Sequence, residues 1–596
     1  MNANAMSLTF LGNAGLVRIP FFQRGYVWDI SNWDDILKDL LDFEKSHYLG
    51  SLILKQLDKQ LHDYKEVLVI DGQQRLTTLS ILVKVLHNCF DVETRENCVS
   101  SINTYLFFKK NPADRDSFVK IEHSKIDKKY FQKVIKNEFS KEEYDEIVVE
   151  NPNTKTISKS NKVLQCFKYF TEKLKGVSEG DCLKLFNKLL NTENKILVII
   201  ELSKKEDEQS IFDTINSAGV RLSSADIIKN ALFQKALELF DGVEEVENLY
   251  KEHWENIFLI DEDAINFWET PRATGRLTRD NIEILLHSIS VIKTFFDPDK
   301  HTLSDLSKLY KDFISNISKD ELKALIKEIS KYAKIFREKI LVFNSSSLFS
   351  CQDNARLFHI LSVCEISTFH PYILSLFYKY DKNESKLSEE LHKIESLIIR
   401  RMITKSETKS YNKMCKELIK DNSNIDIKIL EQTNDEIVNG LSSISNKNAT
   451  LLLFWIELFR RENDNKQSVK ELKYNYSLEH IMPQKWEEYW SDIDILDSNS
   501  NIITDKEASK IERYSKIYSI GNMTLLNSSL NTSLRNYEFS RKIEGEGRKR
   551  GFRDYADLGI TRFDIIEKYD KGDKVWNEKK INQRTMDLAK DILTIW

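Results

Sequence analysis

The sequence predicts a mixed α/β protein that is predominantly helical, and three observations carry that expectation. Gly and Pro are scarce, 17 and 7 in 596 residues, so long flexible linkers are not expected and helix should dominate. Two short apolar runs, Glu66–Asp71 and Lys195–Leu202, have the length and composition of buried strands. From about residue 240 to 390 the chain is a succession of amphipathic helical patterns. Three regions follow, 1–240, 241–390 and 391–596, in keeping with the soft prior that length sets on domain number.

In chain order, the first informative segment is Ile19-Pro-Phe-Phe-Gln-Arg-Gly-Tyr-Val-Trp28. It packs Gln23 and Arg24 between aromatics, which is costly unless their polar groups find partners. The strand at 66–71 then runs into Asp71-Gly-Gln-Gln-Arg75, and apolar positions from Leu76 to Leu86 continue as a helix. Gly72 permits the tight turn, and the next N–H groups emerge from a helix N-terminus, a ready anion site. Arg75 adds a bidentate donor suited to phosphate, while Asp71 could hold a cation or orient water. The turn is not a Walker loop, since no Gly-Lys-Ser/Thr is present, and a strand-to-helix turn with polar decoration is the competing reading. Residues 140–160 read as a polar surface excursion. Further on, Phe212 to Asn230 forms a polar turn entering a helix, with Ser223 and Asp226 as its start signal. That signal leaves Asn216, Lys229 and Asn230 without an explanation.

In the middle region Trp254, Phe258, Phe267 and Trp268 are expected in the core, and no chemistry is visible. The third region holds an apolar helix over Leu451–Phe459 and then Ser477-Leu-Glu-His-Ile-Met-Pro-Gln-Lys-Trp486, followed by Ile520-Gly-Asn-Met-Thr-Leu-Leu-Asn527 and Asn531. Phosphodiester hydrolysis needs a base to activate water and a cation to stabilise charge on the phosphate. His480 can be the base, because imidazole titrates near neutrality, and Glu479 and Asn531 offer the hard oxygens that Mg²⁺ or Mn²⁺ prefers. Neighbouring strand residues face opposite sides, so this pairing requires a bend, which Pro483 and the following loop make plausible. Beyond it, residues 541–553 are the densest basic segment of the region, with Lys542, Arg548, Lys549 and Arg550 as candidate DNA-phosphate contacts. A merely solvated face is the alternative there.

Composition narrows the field. A net charge of -5 excludes a general polyanion binder, so nucleic-acid contact must come from local patches. The seven cysteines are odd in number and form no CxxC pair, which fits a reducing cytoplasm and argues against structural zinc. No apolar run approaches 18 residues and the N-terminus shows no signal pattern, so no membrane partner is expected and the chain is expected to be cytoplasmic.

The three N-terminal segments, in this order, resemble the DGQQR domain, a ParB/sulfiredoxin-like fold. The Glu-His-Ile-x-Pro-Gln strand, the Gly-Asn-x-Thr-Leu-Leu segment and a following Asn resemble the ββα-metal fold of the HNH (His-Me finger) nucleases. The two together are similar to GmrSD-type type IV restriction endonucleases, with BrxU- and SspE-like proteins as relatives. The resemblance covers roughly residues 10–240 and 390–596 and leaves the central helices uncovered. It implies a nucleoside triphosphate site (ATP, GTP or UTP) at Gln23, Arg24, Asp71, Gly72, Gln73, Gln74 and Arg75, with hydrolysis there. It also implies His480 as general base, Asn522 as the residue that orients it, and Glu479 with Asn531 as metal ligands. The implied partner is double-stranded DNA carrying a modification, the implied role is defence against phage, and a homo-oligomer is compatible with all of this. Phe22 stands where tyrosine is frequent and Met523 where leucine is frequent, and neither change removes a reactive group. Two other readings stay open: an HNH nuclease indifferent to DNA modification, and a nucleotide-gated binding protein with a vestigial nuclease site.

Overall fold

The computed structural model describes residues 2–45, 47–56, 64–111, 114–154, 156, 158–202, 223–274, 277–340, 343, 346–351, 355–421, 424–465, 468–497, 500–527, 536–547 and 549–596. It divides into two compact units, Met1–Tyr250 and Lys251–Trp596. The fold is mixed α/β and predominantly helical, as the sequence predicts. None of its described helices is long and apolar enough to cross a membrane.

The first unit is built on a six-stranded mixed sheet. Its strands are β1 (Asn2–Met6), β2 (Leu16–Arg18), β3 (Ser51–Gln56), β4 (Glu66–Asp71), β5 (Ile121–Glu122) and β6 (Leu197–Leu202), in the order β1-β6-β3-β4-β2-β5. Both strands expected from apolar runs are present, as interior strands of this sheet. Strand β4 lies antiparallel to β3 and parallel to β2, and the β3 register shifts between Ile53 and Leu54. Helix α1 (Gln73–Cys89) leaves the end of β4 and is buried on nearly every side, because α2 (Lys162–Leu174) and α3 (Glu179–Leu190) both pack on it. A helix covered all round needs apolar residues all round, and Leu76, Leu79, Ile81, Leu82, Val83, Val85 and Leu86 supply them. Helix α4 (Ser224–Leu239) follows the undescribed residues 203–222, among which Asn216 falls.

The second unit is helical apart from short strand pairs. Trp254, Phe258 and Trp268 are buried as expected, with ring centroids 4.6 and 4.9 Å apart in succession, and Phe267 is half-buried against Trp268. Helix α5 (Glu384–Ile403) spans residue 390, and the second compact unit begins at Lys251. Leu387, Leu391, Ile394 and Ile398 form one continuous buried stripe on that helix, so no division of the fold falls within it. Helix α6 (Asn446–Asn463) contains the expected Leu451–Phe459 stretch and packs on a hairpin of β7 (Tyr476–His480) and β8 (Met523–Asn527). Around this hairpin lie α7 (Lys506–Ile517), α8 (Phe539–Glu544) and α9 (Glu578–Ile595).

Candidate functional site

In the first unit, the segment from Ile19 to Trp28 and the turn after β4 are stitched together by side chains. Gly72 adopts φ +88°, and a Cβ there would collide with the Leu52 side chain and lie 2.8 Å from the Ser51 carbonyl oxygen. Glycine is therefore required both by conformation and by space. The Gln74 carboxamide accepts from the N–H of Val27 at 2.9 Å and donates to the Gly25 carbonyl at 3.1 Å. Gln73 donates to the Arg24 carbonyl at 3.1 Å, while its Oε1 is buried with no hydrogen bond. Gln23 donates back to the Val69 carbonyl at 3.0 Å. These three glutamines, expected at a nucleotide, are bonded to backbone and fix the loop. Arg75 lies over Gly50, where a side chain would strike its guanidinium, and donates to the Ser51 carbonyl at 3.1 Å.

The charges left by this arrangement interact with one another. Burial pulls the Arg24 pKa down, and Asp226 and Asp71 oppose it. Burial pushes Asp71 up against the pull of Gly72 N–H, Arg75 and Arg24. Burial also pushes on Asp226, but Lys229, Ser223 and Arg24 outweigh it and leave that carboxyl below its ordinary range. Ser223 caps α4 by accepting from Asp226 N–H, as its sequence signal predicts, and Lys229 Nζ reaches Asp226 at 2.8 Å. Asp226 and Lys229 are the site residues that sequence reasoning left unassigned. Their start-signal spacing concealed a charge pair facing Arg24. Asn230 stands one helical turn beyond Asp226 with its Oδ1 buried and unbonded.

In the second unit, β7 pairs with β8 in unbroken register from Tyr476↔Asn527 to His480↔Met523. The expected bend between Glu479 and His480 is not formed, and the two side chains have separate surroundings. Glu479 is buried against Lys542, with Oε1 2.6 Å from Nζ, and the same ammonium donates to the His480 carbonyl at 2.7 Å. Lys542, expected as a DNA contact, is fully buried beneath the strand and cannot reach a phosphate. Burial pulls Lys542 down and pushes Glu479 up, and the contact between them opposes both shifts. A divalent cation at Glu479 does not fit this arrangement, because an ammonium already occupies the carboxylate. No cluster of three His, Cys, Asp or Glu among the described residues offers another place. Asn531, the other expected ligand, lies outside the described residues, as does Arg548. Lys549 and Arg550 form a short strand paired with Gly545–Glu546, and Arg550 is exposed.

Asn522 makes no side-chain hydrogen bond to the imidazole. Its fully buried carboxamide accepts from Met482 N–H at 2.9 Å and Trp576 Nε1 at 3.1 Å, and donates to the carbonyls of Met482 and Ile517. It therefore clamps the backbone just after His480 rather than orienting the ring. Gly521 beside it is pressed onto α9, where a Cβ would meet the Ile581 carbonyl and Thr585. The His480 ring instead has Nε2 3.2 Å from Asn446 Oδ1 and lies edge-to-face with Tyr518 at 5.6 Å. Its Nδ1 is shielded and makes no hydrogen bond among the described residues. Burial, helped by the Lys542 charge, pulls the imidazole pKa down to about 4, so the ring is neutral at neutral pH. Asn446 went unnoticed in the sequence, and nothing in its context marks it.

Comparison with protein families gives two matches. The model of the GmrSD restriction endonuclease N-terminal domain matches residues 8–233, and that of the GmrSD restriction endonuclease C-terminal domain matches residues 431–591. The chain belongs to the GmrSD restriction endonuclease family. Among curated proteins, none matches it. Each matched GmrSD stretch contains one of the two polar centres, Gln23 to Lys229 in the first and Asn446 to Lys542 in the second. The helical stretch between residues 234 and 430 lies outside both.

Proposed function

We propose that this protein is a DNA endonuclease in which His480 is the general base, regulated by a nucleoside triphosphate bound in the first unit and directed at modified foreign DNA. The observation that carries the proposal is the state of His480. Its ring is neutral, is held through one nitrogen, and has the other nitrogen unbonded, as a base that takes a proton from water must have. The Lys542 ammonium on the His480 carbonyl and the Asn522 clamp on Met482 fix the strand end that presents the ring. The neighbouring strand pair that carries the exposed Arg550 supplies positive charge for the DNA backbone. An HNH-type ββα arrangement for this unit, and a ParB/sulfiredoxin-like one for the first, belong to the same proposal. So does a need for Mg²⁺ or Mn²⁺, without Glu479 as ligand while Lys542 holds it.

For the first unit, the proposed ligand is a nucleoside triphosphate. Arg24, Arg75 and Lys229 against Asp71 and Asp226 leave an excess of positive charge beside an uncapped helix N-terminus, which favours a polyphosphate. The decisive experiment is plasmid cleavage by His480→Ala, which should fall by roughly 10²–10⁴ while the protein stays folded and still binds nucleotide. Cutting at the wild-type rate would remove His480 from the mechanism. The same assay with glucosylated, hydroxymethylated, methylated and phosphorothioate plasmids, with and without nucleotide and with EDTA, addresses target, regulation and metal in turn.

A further inference from the structure

We infer that Asn446 is the positioning residue for His480, fixing the imidazole as its Nε2–H tautomer so that Nδ1 is the atom that accepts the proton from water. The inference rests on the reading of His480 as base and adds the group that governs it.

A carboxamide oxygen only accepts hydrogen bonds, so the contact between Asn446 Oδ1 and His480 Nε2 at 3.2 Å requires the proton to sit on Nε2. A neutral imidazole carries a single N–H, which leaves the lone pair on Nδ1. That nitrogen makes no hydrogen bond among the described residues, so its lone pair is not committed to the protein. Asn446 is well placed for this task. It is the first residue of α6, just after the cap Ser445, whose side chain accepts from Asn448 N–H. Its own carbonyl is bonded to Thr450 Oγ1 at 2.8 Å, so its backbone is anchored while the carboxamide remains free to reach the ring. Helix α6 is nearly continuous apolar core from Leu451 to Leu458 and packs on β7 itself, so the distance between helix start and strand end is set by a rigid contact. Tyr518 closes another side of the ring, which leaves Asn446 as the ring's hydrogen-bond partner among the described residues. Groups that hold a catalytic base in one tautomer typically matter by roughly 10–100-fold.

The test uses the full-length protein with ¹⁵N-labelled histidine, assigned by loss of the signal in His480→Gln. In the wild type, without metal or DNA, the His480 spectrum should be that of the Nε2–H tautomer. Asn446→Ala should give a mixture of tautomers and lower kcat for plasmid cleavage by roughly 10–100-fold at unchanged KM. Asn446→Asp, which keeps the acceptor oxygen, should restore both the single tautomer and most of kcat. A wild-type spectrum showing Nδ1–H overturns the inference. So does an Asn446→Ala protein with unaltered kcat, or an Asn446→Asp protein as impaired as Asn446→Ala. Should His480→Ala itself cut normally, the underlying reading fails instead, and that outcome is distinct because Asn446 is intact in it.

Discussion

The two polar centres start from the same device, a short strand running into a turn, yet they use their polar residues in opposite ways. In the first unit the uncharged motif residues, Gln23, Gln73 and Gln74, bond to backbone, and the charged ones, Arg24, Asp71, Arg75, Asp226 and Lys229, gather beside a helix N-terminus. In the second unit the charged residues Glu479 and Lys542 are consumed by a buried pair, and the group left open is a neutral ring. On the proposed reading, the first centre is organised to meet charge and the second to move a proton. A shared motif does not tell which of its side chains faces a ligand. What decides that is which of them the backbone needs.

The largest effect that could break this contrast concerns the buried pair. Lys542→Met keeps the shape but leaves Glu479 buried without its counter-charge, which should cost on the order of 3–5 kcal/mol in the second unit. Glu479→Gln added to it should recover most of that loss, because two neutral groups need no compensation. Thermal melting with hydrogen exchange assigned to each unit provides the measurement. An unchanged transition in Lys542→Met would mean that the pair is not a structural element and that Glu479 is available to a cation after all.

A smaller effect separates the glutamines from the arginines. Gln74→Ala strands the N–H of Val27 and the carbonyl of Gly25, and should cost roughly 1–3 kcal/mol in the first unit. Arg75→Ala should instead weaken binding of ATP, GTP or UTP in calorimetry with little change in melting. Were the two variants to behave alike in both measurements, the division of the motif into scaffold and ligand contacts would not stand.

Much of the architecture was legible because it follows from short-range patterns. The strand expected at 66–71 is β4 itself, the helix expected from Leu76 lies within α1, and the demand for glycine at 72 is met by a left-handed backbone. What escaped depends on partners far away in sequence. A lysine inside a run of basic residues reads as surface, and only the fold reveals that Lys542 lies under β7 with Glu479, 63 residues distant. Asn522 was assigned to the ring because it accompanies His480 in the motif, whereas four hydrogen bonds tie it to the backbone and Trp576. Asn446 is 34 residues from His480, at a helix start with no chemical signature of its own.

The smallest expected effect sets the two units against each other through acid. Burial holds His123 of the first unit, and His287, His359, His370 and His480 of the second, down to about pKa 4, against an ordinary value of 6.5. Between those values the unfolded chain binds protons that the folded one refuses, so stability falls as pH drops from 6.5 towards 4. At pH 5.5 each such histidine should remove roughly 1 kcal/mol. Among the described residues the second unit carries four of them and the first one, so acidification from pH 7 to 5.5 should loosen the second unit more. Carboxylates barely enter this window, since ordinary Asp and Glu change charge mostly below it. Unit-resolved hydrogen exchange at the two pH values reads the difference directly. Equal loss of protection in both units would show that burial of these imidazoles does not set the acid sensitivity, and that the contrast between the units is confined to their polar centres.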